Sequence, residues 1–284
     1  MGQGNMIFTR NQTILLLFIA ALFFGFTLFQ ASWLAEKPVG RPKLVASHAA
    51  EPVRDAAGCV ASANSGYGGK SFHPDIGALQ SAAGAKADGL VVRLQMAGGA
   101  LVVGPQYKRL CPADQKRGPA LATEAMSALT RPDLVWQMTG TDTARAFAML
   151  PGRRNDRDLA MGDAAAVAAL RTYAPKLRGF TVAGARECGS RYRRTGLWGV
   201  VPRSCHGGVM LLSLDDLSIT LWGWPNRFLA RMKEADVRVI IAEDVVDGNI
   251  MGLTDVTQYG EIANSFNGDI WVDNIEELGP ALRR

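Results

Sequence analysis

Hydrophobic residues recur along the chain in short, nearly continuous runs that alternate with amphipathic, alanine-rich segments. The runs GLVVRLQ, VRVIIA and DIWV are typical of strands in a parallel sheet that is covered on both faces. Helix signals lie between them: Asp163 is expected to cap the helix AAAVAALRTYA, and Pro225 to open the helix NRFLARMKEA. Strand and helix alternate over about 225 residues, which predicts a single α/β domain.

The order of these segments predicts a (β/α)₈ TIM barrel, because the length suits eight repeats of strand and helix. Gly98 and Gly99 are expected to join the strands GLVVRLQ and ALVVG in a hairpin. CVAS at residues 59–62 is the expected first strand, and VMLLSL and ITLWGW have strand character. A doubly wound open sheet is the alternative, although no GxGxxG or P-loop sequence follows the early strands.

The longest hydrophobic run lies near the N-terminus and predicts one transmembrane helix. Arg10 precedes an uncharged segment at residues 11–35, whose apolar centre is ILLLFIAALFFGFTLF. About 20 such residues cross a bilayer. A cleaved signal peptide is the alternative, but no strong Ala-x-Ala cleavage site follows the run. The expected organisation is therefore an anchor at residues 1–35, a linker at 36–57 and the barrel domain at 58–284.

The charge before the run predicts the orientation of the anchor. Arg10 is the only charged side chain on that side, and the positive-inside rule places it in the cytoplasm. The barrel domain is then expected in the periplasm or otherwise outside the cytoplasm, with the lipid bilayer as the partner of residues 13–35. The sequence AALFFG would also permit close packing against helices of a membrane protein complex.

The four cysteines agree with an oxidising compartment. Cys188 and Cys205 flank one short segment and are expected to form a disulfide, whereas the pairing of Cys59 and Cys111 is left open. Four free buried thiols are the alternative. The chain has no CxxC pair and only three histidines, so neither a zinc site nor another metal or cofactor is expected.

The charge balance argues against a nucleic-acid partner. The formal net charge is +5, from 31 basic and 26 acidic residues, and no dense Lys/Arg run contains interleaved aromatics. The most basic segment is RECGSRYRRTGLWGVVPRSCHGG at residues 186–208. We interpret it as a loop, which acts either as a lid attracted to anionic lipid head groups or as an ordinary solvated surface.

Two stretches resemble the glycerophosphodiester phosphodiesterase family, whose members are TIM-barrel enzymes related to phosphatidylinositol-specific phospholipases C. One is ADGLVVRLQMAGGALVVGPQ at residues 87–106. The other is NGDIWVDNIEELGPALRR at the C-terminus, with FLARMKEADVRVIIA before it. The resemblance implies a TIM barrel and a phosphoric diester hydrolase of lipid metabolism. It also implies two histidines as acid and base, and carboxylates that hold a divalent cation.

The residues at the matching positions differ from that pattern. Ser62 and Pro105 fall where the resemblance implies histidines, and Val91 and Arg93 fall where it implies carboxylates. Because the acid–base pair and the metal ligands are missing, we expect a pseudoenzyme. The alternative is an active phosphodiesterase with a rearranged site that uses His73 and Arg93.

Arg93 can supply a fixed positive charge to a phosphate group without a metal, although an ion pair inside the barrel would explain it equally well. Trp222, Trp224, Arg227 and Glu243 follow strands and are expected on the same rim of the barrel. Core packing and capping are the alternatives for them. The chain is therefore expected to bind a phosphate-bearing ligand such as a glycerophosphodiester, or to serve as an accessory or purely structural subunit of a membrane assembly.

Overall fold

The computed structural model describes residues 10–30, 35–47, 74–104, 120–129, 132–151, 156–218 and 221–283. Its strands are, in chain order, β1 (Lys43–Ala46), β2 (Gly89–Ala97), β3 (Ala100–Val103), β4 (Asp133–Met138), β5 (Leu159–Gly162), β6 (Arg178–Phe180), β7 (Val209–Ser213), β8 (Arg238–Ala242), β9 (Asp244–Val246), β10 (Asn249–Met251) and β11 (Asp269–Val272).

Eight of these strands form a nearly closed parallel barrel in the order β6-β5-β4-β2-β1-β11-β8-β7. Each strand lies beside its predecessor in the chain except at the β6–β7 junction, and β11 returns to pair with β1 from Lys43↔Asp269 to Ala46↔Val272. This arrangement confirms the predicted TIM barrel and excludes the open sheet. The hairpin of β2 and β3 is also confirmed, with positive φ angles at Gly98 and Gly99.

An N-terminal helix with exposed hydrophobic side chains precedes the strands, and the helices after it alternate with the strands and cover the outside of the barrel. The helices are α1 (Arg10–Gln30), α2 (Pro74–Gly84), α3 (Ala122–Ala128), α4 (Thr141–Met149), α5 (Ala164–Tyr173), α6 (Val182–Thr195), α7 (Asn226–Glu234), α8 (Val256–Gly260) and α9 (Ile275–Leu282). The predicted cap of α5 is confirmed, because Asp163 Oδ1 accepts a hydrogen bond of 2.7 Å from the backbone N–H of Ala166.

The transmembrane helix predicted at residues 13–35 is wrong. Within the residues that the structure describes, no helix combines the length and the hydropathy that a membrane crossing requires. Helix α1 contains the hydrophobic run, but it begins with Arg10, Asn11 and Gln12 and ends with Gln30. The apolar part between these polar ends is shorter than the about 20 residues that span a bilayer.

Strand β1 lies inside the segment that we interpreted as a linker, residues 36–57. Its four residues are too few for a recognisable strand pattern, and parallel pairing with β11 and β2 forms the strand. The barrel therefore includes residues before the predicted boundary at residue 58. The predicted first strand at residues 59–62 lies outside the described residues.

Two other segments differ from the predicted structure. The described part of ITLWGW, from Leu221 to Trp224, forms turns instead of a strand. The basic segment at residues 186–208 is not a loop: it contains most of α6 and the short 3₁₀ helices Gly196–Trp198 and Arg203–Cys205. Long arginine side chains tolerate a helical backbone well, so the charge density alone did not indicate a loop.

Alternation of side chains along each strand divides the hydrophobic core into two layers. The inner layer fills the barrel and includes Val45, Val91 and Ile240. The outer layer lies between the strands and the helices and includes Leu44 and Leu90, which are fully buried. Within the described residues, the interior of the barrel is therefore a packed core.

A buried ion network closes the N-terminal end of the barrel. Lys43 Nζ lies 2.5 Å from Asp133 Oδ2, and Arg238 binds both carboxylate oxygens of Asp269. Burial disfavours the charged guanidinium of Arg238, but the carboxylates of Asp269, Asp133 and Asp158 outweigh it and raise the pKa of Arg238 above its usual range. The charges at this end therefore neutralise one another inside the protein.

The predicted disulfide between Cys188 and Cys205 is confirmed, with a Cα–Cα distance of 5.5 Å. It ties α6 to the 3₁₀ helix that precedes β7. Buried Arg231 supports the same connection, because its guanidinium donates to the hydroxyl of Tyr192 and to the carbonyl of Gly196, each at 3.0 Å. Cys59 and Cys111 lie outside the described residues.

We expect the double replacement Cys188→Ser and Cys205→Ser to lower the free energy of unfolding by about 3 kcal/mol, since the bond closes a loop of 17 residues. Urea denaturation monitored by circular dichroism measures this change. Either single replacement should cost as much as the double one, because both break the same bond. Unchanged stability in all three variants would contradict the prediction.

We expect Arg238→Met to destabilise the fold by about 3–5 kcal/mol, because it leaves the carboxylate of Asp269, which is 2 % exposed, without its partner. The matched control is Arg171→Met in the last turn of α5, where the side chain is exposed. That control should stay within about 0.5 kcal/mol of the parent protein in urea denaturation. Equal effects of the two replacements would disprove a structural role for the network.

Candidate ligand-binding site

A cavity of about 640 Å³ opens at the C-terminal end of the barrel. Its wall consists of the ends of β1, β2, β4, β5 and β11, the first turns of α5 and α6, and the β9–β10 hairpin. TIM barrels carry their active sites at this end of the strands. The volume lies in the range of pockets that hold small molecules.

The β9–β10 hairpin forms one side of this mouth. Asp247 and Gly248 both have positive φ angles, which a two-residue hairpin turn requires. The backbone N–H of Glu243 donates to the carbonyl of Met251 at 2.9 Å, and Ile250 packs against the inner core. The hairpin is therefore attached to the barrel at its base, with Ile250 and Met251 in the cavity wall.

Arg93 lies two residues after the buried Val91 and on the same face of β2, so it follows Val91 into the mouth. The carbonyl of Arg93 accepts a hydrogen bond from the N–H of Gly104 at 2.8 Å, which fixes its backbone in the β2–β3 hairpin. Its side chain is exposed, and it forms no hydrogen bond or ion pair with another described residue. The guanidinium is therefore available to an anion in the cavity.

Two carboxylates at the mouth bond to neighbouring groups of the protein. Asp163 accepts from the N–H of Ala166 and, at 3.0 Å, from the N–H of Gly140. Asp273 accepts from the hydroxyl of Ser47 and from the N–H of Gly252 at 2.8 Å. A Cβ atom at Gly252 would collide with Asp273, so this approach requires glycine. Both side chains thus hold the mouth together.

The described residues of the mouth do not fit the divalent cation that the family resemblance implies. Across the described ranges, no group of three or more His, Cys, Asp or Glu side chains is placed to hold a metal ion. Arg93 would repel a cation, and hydrophobic Val91 offers no ligand atom. The chemistry of this donor set favours a bound anion.

Trp271 is the second residue of the cavity wall that carries a polar group without a partner among the described residues. It lies on β11, is 2 % exposed, and its Nε1–H has no hydrogen-bond acceptor among the described residues. An unsatisfied buried donor costs about 1–3 kcal/mol, and buried donors in folded proteins nearly always have an acceptor. The indole N–H is therefore a site where a ligand oxygen would be stabilised.

The first turns of two helices add a positive field. Helix α6 begins at the mouth with Val182 and Ala183 in the cavity wall, and α5 begins there with Ala164. The N-terminus of a helix carries the positive end of its dipole, which attracts anions. The side chain of Asp163 offsets part of this field at α5, whereas the cap of α6 is the uncharged Thr181.

The structure brings one predicted site residue to the cavity: of those that lie in the described ranges, only Arg93 is in the wall. Trp222 Nε1 donates to the carbonyl of Arg193 at 3.0 Å, and the Trp224 ring packs against Phe228 and Phe266.

Arg227 precedes Phe228 in the first turn of α7, and Glu243 is half-buried where β8 ends. The role in ligand binding that was expected for these two residues, and for Trp222 and Trp224, stays a prediction. His73, Ser62 and Pro105 lie outside the described residues.

Sequence reasoning missed Ser47 and Trp271. Ser47 follows β1, a strand that was not predicted. The sequence analysis instead placed the end of the first strand at Ser62. Trp271 was interpreted only as part of the buried strand DIWV. The available signal was the alternation in DIWVD, which places Trp271 on one face with Asp269 and Asp273 and therefore inside the barrel.

Comparison with known proteins supports the fold. No family model matches the sequence, and no curated protein matches it either. Among solved structures, the glycerophosphoryl diester phosphodiesterase domain of an uncharacterized protein from Mycobacterium tuberculosis aligns with a TM-score of 0.54 and 14% identity, over 86% of this chain and 100% of that one. The glycerophosphodiester phosphodiesterase from Agrobacterium tumefaciens aligns with a TM-score of 0.49, 14% identity and the same coverage.

These findings define the class of protein: a TIM-barrel domain with the fold of the glycerophosphodiester phosphodiesterases. At 14% identity, the likeness to the Mycobacterium tuberculosis domain shows the fold alone.

Proposed function

We propose that this barrel binds a phosphate-bearing ligand at its C-terminal mouth and has lost the metal-dependent catalysis of the phosphodiesterases. The observation that carries the proposal is Arg93, a cation in the cavity wall without an ion-pair partner among the described residues. A guanidinium offers two parallel N–H donors that match the oxygens of a phosphate. The N-terminus of α6 adds a positive field from the facing wall.

The loss of catalysis rests on the residues that surround Arg93. Hydrolysis of a phosphodiester requires an acid and a base, and in a metal-dependent enzyme also ligands for the cation. Val91 offers none of these groups, and the carboxylates of Asp163 and Asp273 bond to backbone N–H groups. The one histidine in the described ranges, His206, lies beside the disulfide and bonds to the carbonyl of Val201.

We also propose that the barrel functions in an oxidising compartment. The Cys188–Cys205 bond supports this placement, because disulfides persist mainly in exported proteins. A thiol-trapping experiment on cells tests it. The two cysteines should be protected from alkylation until a reductant is added, and rapid labelling without reductant would refute the placement.

The binding proposal predicts that Arg93→Ala weakens glycerol 3-phosphate binding by about 10- to 100-fold, because a hydrogen bond to a charged group contributes about 1.5–3 kcal/mol. Isothermal titration calorimetry of the full chain measures this change. Arg171→Ala, on the exposed surface of α5, is the matched control and should bind like the parent protein. The proposal fails if Arg93→Ala and the control bind equally well.

The catalytic proposal predicts that the full chain releases no glycerol 3-phosphate from glycerophosphocholine when magnesium or calcium is added. Because the described residues of the mouth offer no acid–base pair and no set of cation ligands, the barrier to hydrolysis should stay close to that of the uncatalysed reaction. An enzyme-coupled assay for the product measures turnover. Turnover that a chelator abolishes and added cation restores would support the alternative of an active phosphodiesterase.

A further inference from the structure

We infer that Trp271 is a ligand-binding residue of the mouth and that the ligand is a phosphate ester with an apolar organic group. This inference rests on the proposed function, because Arg93 is taken as the first contact with the phosphate. Two observations add to the proposed function. The first is that the indole N–H of Trp271 has no acceptor among the described residues. The second is that hydrophobic side chains line much of the cavity beside Trp271.

The position of Trp271 fits a shared phosphate. Arg93 ends the inner face of β2 and Trp271 lies on the inner face of β11, with β1 between these two strands. Strands two positions apart are separated by about 10 Å. Trp271 and Gly89 both lie opposite Val45, so Arg93 is four residues, about 13 Å, further along the strand direction. Both long side chains line the same cavity. One phosphate group between them could accept from the guanidinium and from the indole N–H together.

Two other tryptophans have acceptors for their indole N–H groups. Trp136 is buried in the outer core layer, and its Nε1 lies 3.3 Å from Asp158 Oδ2. Trp222 donates to the carbonyl of Arg193. Trp271 has no such acceptor among the described residues, although it is as deeply buried as Trp136. An oxygen of the ligand would complete its hydrogen bonding.

The lining next to these donors defines the rest of the ligand. Met161, Val182, Ile250 and Met251 supply much of the remaining wall. Met251 lies at the base of the β9–β10 hairpin and is 44 % exposed. A ligand in the cavity would therefore remove apolar surface from water there. A polar group such as glycerol gains little from these four side chains. An alkyl group attached to the phosphate would bury it.

Calorimetry of the full chain with hexyl phosphate and with glycerol 3-phosphate tests the inference. Hexyl phosphate should bind at least tenfold more tightly, because several methylene groups leave water. Trp271→Phe keeps an aromatic ring but removes the N–H, and it should weaken both ligands by about five- to tenfold. Trp136→Phe is the matched control and should bind both ligands like the parent protein.

Met251→Ser tests the apolar wall at an exposed position where the fold tolerates change. It should weaken hexyl phosphate at least threefold more than it weakens glycerol 3-phosphate, which also tests the ligand class if Trp271→Phe does not fold. Equal affinity of the parent protein for the two ligands would overturn the ligand class. Parent-like binding by Trp271→Phe, in a protein where Arg93→Ala weakens binding, would overturn the role of Trp271 and leave the proposed function intact. Insensitivity to Arg93→Ala would overturn both.

Discussion

The pairing of β1 with β11 is the interaction on which the rest of the structure depends. It joins Lys43 to Asp269 and Ala46 to Val272, near the two ends of the chain, and thereby closes the sheet into a barrel. Such a distant pairing forms only against a large loop-closure entropy, so the contacts at both ends of these strands must support it. Without it, Trp271 would not share a cavity with Arg93.

The two ends of the barrel use charge in opposite ways. At the N-terminal end, partly exposed cations neutralise buried carboxylates, as Lys43 does with Asp133. At the C-terminal end, Asp163 and Asp273 bond to the protein itself, while the guanidinium of Arg93 stays in the cavity wall. The ion network therefore lies at one end of the barrel, and the proposed ligand site lies at the other.

The likeness to a phosphodiesterase domain concerns the fold, and the C-terminal mouth is part of that fold. The shared fold supplies the mouth and the helix N-termini around it, which suit a phosphate whatever the chemistry performed there. The particular residues then decide what happens to the ligand. Val91 and Arg93 stand where the resemblance implies carboxylates, and this exchange of metal ligands for a hydrophobic residue and a cation is the basis of the proposed anion binding.

The sequence by itself determined those elements whose signals are local. The alternation in GLVVRLQ, the cap at Asp163 and the spacing of Cys188 and Cys205 each depend on residues within a few positions of one another or on a short loop. Tertiary structure alone decided that four residues from Lys43 become a barrel strand and that Trp271 lines the same cavity as Arg93. These features arise from pairing between distant segments, and periodicity along a single segment does not encode its partner.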